Sequence, residues 1–234
     1  MTDAGRHDDD RHALAELERL TFFSDAVFAI AMTLLVVDVR LPALARPTNS
    51  ALTDALLALV PQYIGFVVSF LVIGRFWAAH HVVFGMLRRA DGRLVGVNLL
   101  FLLSIAFMPF PTMVLSEHPQ LRGALVFYIA WLFVIALLNC WTTQTAFRRG
   151  TLVRRGVGAV TVANRLRHTL IPVVVALIAC GASLIGAAYG LAALTIGTPV
   201  VEWAVRRLDR PGPPRPAAGL SPAPSARAAS AAPG

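Results

Sequence analysis

Long apolar stretches separated by short arginine-bearing segments fill most of this chain, and each stretch is close to the roughly 20 residues a helix needs to cross a bilayer core. The pattern predicts six spans. The first covers about 18–39, and the second about 53–79, ending in Arg75, Trp77, His80 and His81. The third, about 93–115, is expected to stop at an extended region, Pro109-Phe-Pro111-Thr112 and Ser116-Glu-His-Pro119, because proline disfavours helix continuation. The fourth covers about 120–146. The last two share the run Leu170 to Trp203, too long for one ordinary span, and a tight hairpin is predicted around Ala187 to Gly190. Beyond Arg210 the chain is Pro, Ala, Gly and Ser with a few arginines, a composition that predicts disorder. The expected organisation is therefore a flexible leader over 1–15, a six-helix membrane domain over 16–207 and a disordered tail over 208–234.

Within the first span, Ser24 and Asp25 interrupt an otherwise apolar run. A carboxylate there costs roughly 2.5–3.5 kcal/mol on insertion scales, so it is expected to face protein or water and to mark function. Ser24 and Asp25 near one end of span one, Arg75, Trp77 and His80 near the adjoining end of span two, and Asn98 a turn or so into span three share one depth. They predict a hydrogen-bonded cluster in which Asp25 accepts from His80, Asn98 or Trp77. Two roles fit it: a lock between helices, or a direct part in proton or ion transfer.

Helical geometry separates this cluster from a second feature. At about 100° per residue, Ile30, Leu34 and Val37 form one stripe with Thr33 and Ala26 beside it, while Asp25 points roughly the other way. Such a stripe fits contact with lipid or a neighbouring helix, and equally a surface presented to something else.

Composition agrees with a membrane protein: 56% of residues are hydrophobic, 15% are charged, and the mean hydropathy is +0.66. The net charge of +8 comes entirely from arginines set in clusters between apolar segments, which is the pattern of orienting loops and not of nucleic-acid binding. Arg88, Arg89 and Arg93 follow span two; Arg148, Arg149, Arg154, Arg155, Arg165 and Arg167 follow span four; Arg206, Arg207 and Arg210 follow span six. The alternate loops hold Arg40, Arg46 and Arg122, so the positive-inside rule predicts that both termini are cytoplasmic. Ala43-Leu44-Ala45 mimics a signal-cleavage site, but the run before it is too long, carries Asp25 and follows an acidic leader, so cleavage is not expected. Cys140 and Cys180 sit in apolar segments without metal-ligand spacing and read as packing residues.

The string Arg19-x-x-x-Phe23-Ser24-Asp25 followed by Ala-Val-Phe-Ala-Ile30-Ala-Met-Thr33-Leu-Leu-Val resembles the first-helix signature of the transmembrane protein 175 family. These are the endosomal and lysosomal potassium channels and their bacterial homologues. Trp77-x-x-His80, Asn98 and Met108-Pro-Phe-Pro-Thr112 extend the likeness over roughly residues 15–207. The resemblance implies a potassium-selective or weakly selective cation channel in the cell membrane, a homotetramer of single-repeat, six-helix subunits whose first helices line a central pore. It implies a constriction at Ile30 with further rings at Leu34 and Val37, the latter smaller than the Leu often found there, and a pore-flanking hydroxyl at Thr33. Arg19, Ser24, Asp25, Trp77, His80 and Asn98 would then be the polar network behind the pore helix. Asp38, near the outer end, fits a cation-concentrating mouth or an ordinary interfacial carboxylate.

No Thr-Val-Gly-Tyr-Gly loop occurs, which excludes the usual carbonyl-cage filter. Rings of branched apolar side chains offer no ligand in place of hydration water, so they gate by dewetting and favour ions that shed water cheaply, potassium over sodium. Proton permeation is a further expectation raised by the eukaryotic members. The competing class is a secondary ion or proton transporter, which ordinarily shows an internal repeat and an interrupted helix at a midplane site; the only break expected here lies between spans five and six. His80 and His81 point about 100° apart and lack a third ligand at useful spacing, so no metal is expected. No nucleophile, acid–base or phosphate-loop constellation suggests an enzyme, and no cofactor is implied.

Overall fold

The computed structural model describes residues 3–148, 150–154 and 156–185 and, beyond them, positions 190, 193, 197, 200, 201 and 207. It is all-α. Helix α1 (Asp3–Leu34) ends in a 3-10 turn, Leu35–Asp38; α2 (Asn49–Ala58) and α3 (Val60–Gly85) follow, then α4 (Gly92–Ala106), α5 (Pro109–Glu117), α6 (Arg122–Arg148) and α7 (Ala159–Ile185). Five spans among the described residues are long and apolar enough to cross a membrane: Arg11–Asp38, Val60–Gly85, Gly92–Glu117, Arg122–Arg148 and Ala159–Ser183.

Several boundaries differ from expectation for local reasons. Helix α1 starts at Asp3, ahead of the first expected span. The second expected span is two helices, because Pro61 lacks an N–H and opens a new first turn after the break at Leu59. Thr48 starts α2 by accepting from Ala51 N at 3.2 Å. Trp77, His80 and His81 lie inside α3, which continues to Gly85. Pro109 and Pro111 do not end span three in extended chain; they occupy the opening of α5, where a missing N–H costs little, and the helix runs on to Glu117. Helix α7 begins at Ala159, eleven residues before the expected apolar run, so Arg165 and Arg167 ride on its first turns and not in a loop.

The join between α4 and α5 shows how a proline-broken span is kept dry. Met108 N turns to Ile105 O at 3.1 Å, which leaves Ser104 O without its usual backbone donor. The Trp131 indole on α6 donates to that oxygen at 3.0 Å. Membrane helices tolerate such breaks where a neighbour satisfies the freed group. On the next turns Thr112 donates to Ser69 Oγ, which lies 3.1 Å from the Tyr128 hydroxyl, so α3, α5 and α6 share one buried hydroxyl chain.

Helix α6 packs against α3, α4, α5 and α7, while α1 lies across α3 and α4. The main core runs through Phe28, Ile73, Phe101, Ile105, Tyr128 and Ile135. A second core of Leu17, Phe84, Leu87, Leu94, Phe147 and Leu152 closes the arginine-rich end.

The sixth expected span falls mostly outside the described residues, as do positions 187–189 of the expected hairpin and the tail 208–234. Gly190 lies against Ser183 and Gly197 against Val175, so these positions retreat along α7 in antiparallel register. At Gly190 a Cβ would come within 2.9 Å of Ser183 Cβ, which is why no larger residue fits this approach.

Candidate functional site: the first helix and its polar partners

Leu17, Ser24, Phe28, Ala31 and Leu35 are the buried positions of α1 from Arg11 onward, a seam with spacings of seven, four, three and four. It meets α3 and α4. On the opposite side Ile30, Leu34 and Val37 are 59%, 44% and 50% exposed, although all three are apolar and lie at membrane depth. Thr33 is exposed beside them, its hydroxyl donating back to Ile30 O at 2.9 Å. Phe28, about 200° round the helix from Ile30, is completely buried.

The polar residues divide into two groups. Asn98 Nδ2 donates to Ser24 Oγ at 3.0 Å, and Asn98 Oδ1 lies 2.8 Å from His80 Nε2; Ser24 Oγ in turn donates to Leu20 O at 2.8 Å. Since an amide oxygen only accepts, His80 Nε2 must carry the proton in this bond. All three side chains are buried. The ring of His80 stacks on Phe84 at 4.0 Å and is flanked by Phe28 and Phe101, and its Nδ1 is buried without a hydrogen-bond partner. The second group lies at the surface of the chain: Trp77 Nε1 donates to Asp25 Oδ1 at 2.9 Å, and Trp77 is 38% exposed with His81 beside it.

Asp25 thus takes its hydrogen bond from Trp77, and not from His80 or Asn98. Arg19 is exposed and makes no bond to either group. Asp38 ends the 3-10 turn at the opposite end of α1 and, with Gln62, Thr112, Ser116 and Glu117, lines a cavity of about 10 Å³. Sequence reasoning overlooked Gln62, whose Oε1 is buried there without a partner, and Glu117, the second carboxylate. It also missed the Ser69–Tyr128–Thr112 chain; buried hydroxyls spread over three helices leave no local spacing to read.

An all-α bundle of this topology, whose first span is the least internally buried of the five, 22% against 50% for α6, defines a multi-pass membrane protein built around an outward-facing first helix. Residues 19–109 match the family described as Endosomal/lysosomal potassium channel TMEM175. A potassium channel of Streptomyces collinus is 37% identical over 207 residues, covering 84% of this chain and 98% of that protein. The chain therefore belongs to the TMEM175 family. The crystal structure of a lysosomal potassium-selective channel TMEM175 homolog from Chamaesiphon minutus superposes with a TM-score of 0.70 at 29% identity, covering 82% of this chain and 98% of that one. The endosomal/lysosomal proton channel TMEM175 of Rattus norvegicus is 31% identical over 159 residues, 61% of this chain and 31% of that protein.

Proposed function

We propose that this chain is a subunit of a potassium channel of the cell membrane, assembled from four copies with α1 of each lining a central pore and both termini cytoplasmic. One observation carries the pore reading: the apolar stripe Ile30, Leu34, Val37 is exposed over a face of α1 whose opposite seam is bound to α3 and α4. One such face encloses no pathway alone, whereas four α1 faces meeting on an axis make stacked apolar rings. The relatives named as potassium channels in Streptomyces collinus and Chamaesiphon minutus support the choice of ion. In this reading Ile30 forms the narrowest ring, Leu34 and Val37 widen outward, and Asp38 and Glu117 raise the local cation concentration at the mouth.

The transporter alternative finds less support. The interrupted span carries its break at Phe107–Met108, and the carbonyl this frees at Ser104 is already bonded to Trp131 and so is not offered to an ion. Proton permeation is a second reading favoured by the names of the vertebrate relatives and by the partly exposed carboxylate of Asp25 on α1.

The deciding experiment replaces Ile30 by asparagine and measures reversal potentials under potassium, sodium and proton gradients in liposomes. Four amides in the ring wet the constriction and offer ligands to a passing ion, so the potassium preference falls. A conducting Ile30→Asn channel of unchanged selectivity puts the filter elsewhere, and native mass spectrometry of a conducting species that is not a tetramer ends the four-copy architecture.

A further inference from the structure

At the arginine-rich end of the bundle two loops are tied together by a short backbone clasp. Arg88 N donates to Leu152 O and Arg154 N to Met86 O, both at 2.9 Å, around the antiparallel bridge between Leu87 and Val153. Each arginine also spends its Nε on the opposite loop: Arg88 on Thr151 O at 3.0 Å and Arg154 on Leu87 O at 2.8 Å. With Leu87 opposite Val153, Arg88 and Arg154 are diagonal neighbours on one side of the pair, roughly 7–8 Å apart. Both guanidinium planes are pinned with their Nη edges unspent. Among the described residues neither is paired with a carboxylate.

The surrounding sequence supplies little counter-charge. Between Glu117 and Glu202 the chain has no acidic residue, yet six arginines fall between Arg148 and Arg167. The carboxylate nearest in sequence to Arg88, Asp91, is engaged as the cap of α4, accepting from Leu94 N at 2.8 Å. The clasp sits where α3 and α6 end and α4 and α7 begin, which is headgroup depth for four spans at once. Arg89, Arg93 and Arg148 are exposed around it.

We propose that the clasp is a binding site for the phosphodiester headgroup of an anionic phospholipid, held between the paired guanidinium groups of Arg88 and Arg154. The chemistry suits the ligand, since two forked cations on one side of the clasp can each offer paired N–H groups to phosphate oxygens. Its place at the span ends selects a lipid over a soluble anion, because acyl chains then lie along the exposed sides of the helices while the headgroup meets fixed charge. The inference stands apart from the pore reading, and it holds in either leaflet.

Purified full-length protein is titrated with phosphatidylglycerol or phosphatidylcholine in mixed micelles, with retained lipid counted by native mass spectrometry and melting followed by fluorescence. The wild type should retain phosphatidylglycerol preferentially and melt later with it. Arg88→Gln/Arg154→Gln should weaken that binding by about thirtyfold, two surface charges' worth, with phosphatidylcholine binding unchanged. Because glutamine also removes the Nε bonds, Arg88→Lys/Arg154→Lys is run beside it: it loses the same bonds but keeps the charge, and should retain most of the preference. Should both variants fail to fold, the wild type alone decides. Equal retention of the two lipids, a folded glutamine variant that binds like wild type, or equal stabilisation by soluble glycerol phosphate overturns the proposal.

Discussion

Replacing Asn98 by alanine tests whether the buried bonds behind α1 hold it in place. Asn98 is completely buried and joins α4 to α1 through Ser24 Oγ at 3.0 Å and to α3 through His80 Nε2 at 2.8 Å. Alanine removes both bonds and strands His80, whose Nδ1 already lacks a partner inside the cage of Phe28, Phe84 and Phe101. Interhelical hydrogen bonds in membrane proteins contribute about 0.6 kcal/mol on average and about 1.7 at most, so the two bonds amount to about 1–3 kcal/mol. The void left by the amide adds about 1 kcal/mol. Ser24 keeps its bond to Leu20 O and contributes little to the loss. The expected total is about 2–4 kcal/mol, or a fall in melting temperature of about 5–15 °C at this chain length. Trp77→Phe, which removes the half-exposed bond to Asp25, should cost about 0.5–1 kcal/mol. Both variants are melted in detergent beside wild type. An Asn98→Ala protein that melts within 1–2 °C of wild type, or later than Trp77→Phe, refutes the reasoning that the buried branch is the lock.

Three further outcomes follow from the same contacts. Gly65→Ala places a methyl group against Ser116 Oγ, which is held by its bond to Thr112 O at 2.7 Å; melting should fall by about 1–3 kcal/mol equivalent and recover in Gly65→Ala/Ser116→Ala. Trp131→Phe leaves Ser104 O unpaired at the break in the third span and should cost about 1–2 kcal/mol, read by chemical denaturation or a melt in detergent, with no change in ion selectivity if the break is structural. Phe28→Asn, on the buried side of α1, should lower the yield of folded protein where Ile30→Asn does not, since Phe28 is 0% exposed and Ile30 59%; comparable yields would remove the distinction between the two faces.

Periodicity made the two faces of α1 legible, because the seam from Leu17 to Leu35 and the stripe from Ile30 to Val37 are each written in one continuous helix. Depth matching also brought Ser24, His80 and Asn98 to one level, but it gave no rotation for α3 and α4 about their axes. Hence the partner of Asp25 stayed open among three donors until α3 was oriented. Prolines misled for a definite reason: Pro109 and Pro111 read as stop signals, yet at the first turn of a helix they cost almost nothing, and which end of a helix they occupy depends on the break at Phe107. The clasp was invisible because a bridge between residues 66 positions apart, Leu87 and Val153, has no pattern along the chain.

The distribution of bonds on α1 follows from its exposure. Helix α6, with half of its span residues buried, is held chiefly by packing, to which Tyr128 and Trp131 add bonds to Ser69 and Ser104 O, while its hydroxyls at Thr142 and Thr143 bond back to their own carbonyls. Helix α1 has less than half that buried share, and in lipid apolar area gives no hydrophobic drive between helices. What remains is close packing along one narrow seam and directional bonds at fixed points. Ser24 and Asp25 provide those points on consecutive residues about 100° apart, one reaching across to Asn98 and the other sideways to Trp77. Two bonds in different directions resist both translation and rotation of the helix, which a single bond or an apolar seam does not. Rotation is the motion these bonds oppose: turning α1 by one residue, about 100°, would swing Ile30 off the face it now presents, so in the proposed channel the polar pair would set which side chains the pore receives.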